Sequence, residues 1–115
     1  MIRPINLIPA KARLFRSISD EGRLSLLEEL VEGERRVADL TLDTGQSQST
    51  VSTHLSVLLS AGLVLRQQDG RQVIYRLADP SVEALLKAGE NFVVATSAQE
   101  FACTSPCCVE GAAET

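Results

Sequence analysis

Aromatic side chains are nearly missing from this sequence: three phenylalanines, one tyrosine and no tryptophan in 115 residues. Leu, Val and Ile must therefore fill whatever core the chain builds. Histidine occurs once, as His54, so there is no histidine cluster for a metal and no nucleophile–base pair for covalent catalysis. The seven glycines are scattered and form no phosphate-cradling loop. These gaps argue against an enzyme, and no catalytic cofactor is expected. No apolar run approaches the roughly 20 residues of a membrane span. Residues 1–9 are too short for a secretion signal and are broken by Pro4 and Pro9. The expectation is one cytoplasmic domain with no membrane partner. Cysteine is absent until position 103 and then appears three times in six residues, as Cys103, Cys107 and Cys108. An odd, clustered set in a reducing compartment points to metal or redox chemistry rather than a structural disulfide.

Charge is present but unevenly spread around a net of −4. Residues 1–19 carry Arg3, Lys11, Arg13 and Arg16 and no acid. Residues 20–43 and 79–115 are acidic. Between them, residues 44–78 hold Arg66, Arg71 and Arg76 against Asp69 alone. A phosphate backbone responds to the local field, so the acidic total weakens nonspecific nucleic-acid binding without excluding a specific site.

Hydrophobic spacing gives the order α-α-α-α-β-β-α. Amphipathic helices are expected over 9–18 and 21–32, the second capped by Ser19 or Asp20 and carrying Leu24, Leu27, Leu30 and Val31. A short helix fits 36–43. Ser47 caps a helix running through Ser60, with Val51, Leu55, Leu58 and Leu59 inside and Ala61-Gly62 as its stop. Strands follow at 63–67 and 72–77, with Asp69-Gly70 as the hairpin turn. Asp79-Pro80 starts a last helix to about residue 99. Its stripe of Val82, Leu85, Leu86, Gly89, Phe92 and Val93 has no evident partner within the chain, and a homodimer would cover it. The expected organisation is a folded domain over 1–99 and an irregular cysteine-containing tail over 100–115.

Residues 36–61 thus form a helix, a tight turn and a second helix. The second exposes Ser47, Gln48, Ser49, Thr50, Ser52, Thr53 and His54, with no acid and no lysine or arginine among them. Such a face is either a plain solvated surface or one suited to close approach to a duplex, where hydroxyls donate to phosphates and Gln reads adenine. The hairpin just after it, with Arg66 and Arg71, favours double-stranded DNA as the partner.

The stretch QSQSTVSTHLSVLLSAGLVLRQQDGRQVIYRL closely resembles the recognition helix and wing of the ArsR/SmtB family of metal-responsive repressors, and SISDEGRLSLLEEL resembles that family's N-terminal helix pair. The resemblance spans roughly residues 10–95. It implies a mainly α winged helix-turn-helix with a β-hairpin wing, dimerised through its first and last helices on an inverted-repeat operator and released by an inducer. It also places His54 on the DNA side, where a DNA contact, a structural role or, least in keeping with its isolation, a metal bond remain open; Arg71 becomes a wing phosphate contact or a salt-bridge partner. One inducer site of the family uses two cysteines in a motif like ELCVCDL; here Arg36 and Ala38 stand in their places. A second uses Asp and His on the last helix; here Asp79 and Glu83 have no histidine beside them. There remain Cys103, Cys107 and Cys108. Three thiolates select a soft ion, and trivalent arsenic or antimony, inorganic or methylated, is satisfied by three or two sulfurs. Some arsenic-responsive members carry a vicinal cysteine pair near the C-terminus. Cadmium or lead, a reversible thiol-redox or persulfide switch, and an inert tail stand as alternatives.

Overall fold

Short polar side chains fix where the helices begin. The computed structural model describes residues 6–102, with side chains through Ser97. Its elements are α1 (Ile8–Ile18), α2 (Glu21–Val31), β1 (Arg35–Arg36), α3 (Val37–Thr44), α4 (Gln48–Ser60), β2 (Val64–Asp69), β3 (Gln72–Leu77) and α5 (Pro80–Ala102). Asp20 caps α2 by accepting from the Arg23 N–H at 3.1 Å. Ser47 caps α4 by accepting from the Thr50 N–H at 3.2 Å. The Asp79 carboxylate accepts from the Ser81 N–H at 2.8 Å at the start of α5. Each satisfies a backbone donor that the first helical turn leaves without a partner. The architecture is the mainly helical winged helix-turn-helix expected from the sequence, with one addition.

That addition is β1. Arg35 and Arg36 pair with Tyr75 and Ile74, making a three-stranded antiparallel sheet in the order β1-β3-β2. The β2–β3 hairpin pairs Val64 with Leu77 and closes at Asp69 opposite Gln72. Its two-residue loop is therefore Gly70-Arg71, one position later than the sequence implies. Gly70 sits at φ +64°, and among the described residues no non-glycine has positive φ, the pattern of a II′ hairpin with glycine first.

The chain divides into two compact units, Met1–Glu83 and Ala84–Thr115. The first holds an aliphatic core of Leu26, Leu27 and Leu30 from α2, Leu40 from α3, Val51, Leu55 and Leu58 from α4, and Leu63 and Val64 entering β2, all at most 3% exposed. Each such side chain contributes about 1.5–3 kcal/mol of burial. On α2 Leu26 is buried where Leu24 was expected; Leu24 is 37% exposed, and Leu59 of α4 is likewise on the surface. Both sit at the edge of a stripe whose centre is better filled by its neighbours. Helix α1 buries no residue. It is tied on by Arg23, whose Nε donates to the Ser17 carbonyl at 2.6 Å and whose Nη2 donates to that of Arg16 at 3.3 Å, at the C-terminal end of α1.

In the second unit, α5 extends to Ala102, and Phe92, Val93 and Val94 are exposed. Cys103, Cys107 and Cys108 lie outside the described residues.

Candidate nucleic-acid interface

Helix α4 is held by one apolar stripe and presents the rest of its surface. Val51, Leu55 and Leu58 are buried at helical spacing, so Ser49, Ser52 and Thr53 fall on the outer side, and all three are exposed, as are Ser47, Gln48 and Thr50 at the open N-terminal end. The turn into α4 is short because Gly45, at φ +75°, takes the left-handed position after α3 and donates to the Thr41 carbonyl. The Ser47 hydroxyl also donates to the Thr50 Oγ1 at 2.8 Å, which presets the start of the helix. The exposed face carries no charge, so no carboxylate stands on it to repel a phosphate.

The wing places its cation at the tip. Arg71 is the second loop residue and is exposed, and Arg66 is exposed on β2. Gln68 Nε2 donates to the Gly70 carbonyl at 2.8 Å and braces the turn. The wing is joined to the start of α3 by Arg36, whose Nη1 donates to Gln72 Oε1 at 2.9 Å. Arg36 also pairs with Asp39 at 3.3 Å. The Arg36 backbone and side-chain donors together hold the Asp39 carboxyl below the usual aspartate range. At the start of α3, where the family's cysteine motif would place its thiols, the chain thus has an internal ion pair. Along one side of α4 runs a groove toward α1 and α2, lined by Arg13, Arg16, Arg23, Ser56 and Ser60, which adds positive charge beside the helix.

His54 does not share the outer face. Its side chain is 17% exposed, and Nε2 lies 3.4 Å from Asp20 Oδ2 at the cap of α2. The reason is in its position: residues 51, 54, 55 and 58 form a single helical stripe, and His54 occupies the polar place in it. By that spacing His54, expected among the exposed hydroxyls, is instead half-buried beside α2. The Arg23 N–H first, then the nearby His54, hold the Asp20 carboxyl below its ordinary range. Among the described residues, no group of three or more His, Cys, Asp or Glu side chains is placed to hold a metal, and no helix is long and apolar enough to cross a membrane.

Comparison with known proteins agrees with this geometry. The model of the arsR family of bacterial regulatory proteins matches residues 20–65, from the cap of α2 into β2. A probable mercury resistance operon repressor of Streptomyces lividans is 37% identical over 93 residues, 81% of this chain and 74% of that protein. The crystal structure of Rv0081 from Mycobacterium tuberculosis superposes with a TM-score of 0.78 at 31% identity, covering 85% of this chain and 99% of that one. A solution structure from Mycobacterium bovis, a homodimeric winged helix-turn-helix DNA-binding domain of a possible ArsR-family regulator, gives a TM-score of 0.73 at 30% identity over 88% and 95% of the two chains. The fold, the uncharged face of α4 and these relatives together identify the chain as a member of the ArsR family of bacterial regulatory proteins, a DNA-binding transcriptional regulator and not an enzyme.

Proposed function

We propose that the chain is a homodimeric repressor that holds operator DNA through α4 and the wing and lets go when Cys103, Cys107 and Cys108 take up trivalent arsenic or antimony. The observation that carries the DNA half is the exposed face of Ser47, Gln48, Ser49, Thr50, Ser52 and Thr53, beside Arg71 at the wing tip. In this reading Gln48 and the hydroxyls of Ser49, Ser52 and Thr53 meet base edges and phosphates in the major groove, and Arg71 meets the flanking backbone. Dimerisation is supported by the homodimeric M. bovis relative and by exposed apolar side chains on both terminal helices, Ile8 and Phe15 on α1 and Phe92, Val93 and Val94 on α5.

The inducer half rests on donor chemistry. Three thiols displace the three hydroxyls of arsenous acid as water, leaving a neutral pyramidal centre that needs no fourth ligand; two thiols suffice for a monomethylated arsenical. Drawing the three cysteines together re-forms the chain just past α5, a helix of the dimer, and so alters the separation of the two α4 helices. A coupling of about 1–3 kcal/mol gives a 5- to 150-fold loss of DNA affinity. The mercury-repressor relative favours a second reading, in which the same thiolates take a soft divalent ion such as mercury(II), cadmium or lead.

The test is fluorescence anisotropy of the reduced protein on duplex DNA from its own upstream region. The expected result is release by near-stoichiometric arsenite, abolished by Cys103→Ser or by Cys107→Ser with Cys108→Ser. Release by mercury(II) or cadmium but not arsenite supports the second reading; indifference to all three ions removes metal sensing and leaves the repressor.

A further inference from the structure

Three polar side chains converge on Gly22, in the first turn of α2. A Cβ built on Gly22 stands 2.7 Å from His54 Nε2, 3.0 Å from Asp20 Oδ2 and 3.0 Å from Gln46 Oε1. They come from three separate places: the cap of α2, the turn between α3 and α4, and the second turn of α4. Gln46 Nε2 donates to the Gly22 carbonyl at 3.2 Å, and Asp20 Oδ2, already accepting from the Arg23 N–H, lies 3.4 Å from His54 Nε2. Gln46 Oε1 and His54 Nδ1 are enclosed and have no hydrogen-bond partner. Unpaired buried polar atoms cost stability, so an apolar side chain at position 54 would serve packing better. The polar node sits on the one helix whose orientation a duplex would test.

We infer that His54 is a positioning residue for α4: tied through Asp20 to the cap of α2, it sets the angle at which the hydroxyl face is offered and does not itself touch DNA. The inference deepens the proposed DNA contact of α4 and rests on it. A short helix held only by Val51, Leu55 and Leu58 can roll about that stripe, because dispersion contacts have little directional preference. A polar side chain beside the stripe, set 3.4 Å from a fixed carboxylate, opposes the roll. Gly22 is part of the device, since any side chain there meets the ring and the carboxylate.

The experiment is a double-mutant cycle read as operator affinity at two salt concentrations, with thermal melting beside it. Asp20→Ser keeps a capping oxygen on α2 but is too short to reach His54. His54→Gln offers an N–H near the position of Nε2, whereas His54→Ala offers none. Gly22→Ala introduces no polar change and displaces the His54 ring and the Asp20 carboxylate; because Asp20 also caps α2, its melting temperature is read beside its affinity. The expected result is about a tenfold loss of affinity, about 1.4 kcal/mol, for Asp20→Ser, His54→Ala and Gly22→Ala. The Asp20→Ser/His54→Ala double variant is no worse than either single one, His54→Gln recovers most of the loss, and the salt dependence is unchanged. If His54 instead binds a phosphate directly, the pattern reverses: the losses add, His54→Gln gives no rescue, and the log–log salt slope becomes shallower by about 0.9 for each phosphate no longer neutralised. That pattern overturns the inference, as does unaltered affinity in Gly22→Ala and His54→Ala. If the wild-type protein holds its upstream DNA and the variants hold it equally, only the positioning role falls; if the wild type holds no duplex, the DNA reading of α4 falls with it.

Discussion

Single carboxylates at helix caps do two jobs in this chain, satisfying backbone donors and making stability depend on acid. Asp20 accepts from Arg23 and Asp79 accepts from Ser81, and both are held below the ordinary aspartate range, Asp20 by the Arg23 backbone first and Asp79 by the Ser81 hydroxyl and N–H. The folded state therefore takes up these protons less readily than the unfolded chain. Their contribution is complete above the ordinary aspartate value of about 3.9 and is lost as pH falls through the lowered folded values. Urea midpoints between pH 6 and pH 3 should drop on the acid side, and Asp79→Asn, which still caps but does not titrate here, should flatten part of the drop. An equally steep drop in the variant would show that Asp79 is not a source of the acid sensitivity. The role of His54 also belongs to this scale. Its burial could have been found in the sequence by widening the Val51, Leu55, Leu58 stripe to include position 54, three residues after Val51; its partner Asp20 could not, because no periodicity links a cap on α2 to the second turn of α4.

Among the elements, those with a chemical boundary were legible and those set by pairing were not. Ser47, the Gly62 stop and Asp79-Pro80 located the ends of α4 and the start of α5 from local preference alone. The two-residue strand β1 has no alternation to detect and exists because β3 offers a free edge to Arg35 and Arg36. The hairpin turn was displaced by one residue because Asp-Gly and Gly-Arg are both acceptable loops, and only the Asp69–Gln72 register decides between them. That register matters for function, since it puts Arg71 at the tip. Arg71→Ala should weaken operator binding across sequences without relaxing specificity, and should make the salt slope shallower by about 0.9. A loss confined to one operator sequence would instead make Arg71 a base contact. On α4 the outer hydroxyl face was evident in the sequence because Ser49, Ser52 and Thr53 fall away from the apolar stripe once it is drawn.

At the scale of the molecule, the core of the first unit is entirely aliphatic and small, and each terminal helix leaves large apolar side chains uncovered. Phe15 is 53% and Phe92 69% exposed in the single chain. Burying such rings in a homodimer would add about 1.5–3 kcal/mol each. Phe92→Glu, which places a charge where a ring should be covered, should shift the protein toward monomer in sedimentation equilibrium and lower operator affinity with it. A variant that stays dimeric would move the interface away from α5. In the proposed function, dimer geometry is what would link ligand capture by the three cysteines to the spacing of the two α4 helices.

Operator affinity after a carboxylate is placed on the outer face of α4 decides whether this surface meets the duplex. Thr53→Glu and Ser49→Glu change exposed positions and leave the core untouched, so melting temperature should hold within a few degrees. With this face against DNA, a buried like charge opposite phosphate should cost roughly hundredfold in affinity, about 2.7 kcal/mol. Affinity equal to wild type in both variants would contradict the assignment and place the DNA contact elsewhere on the molecule.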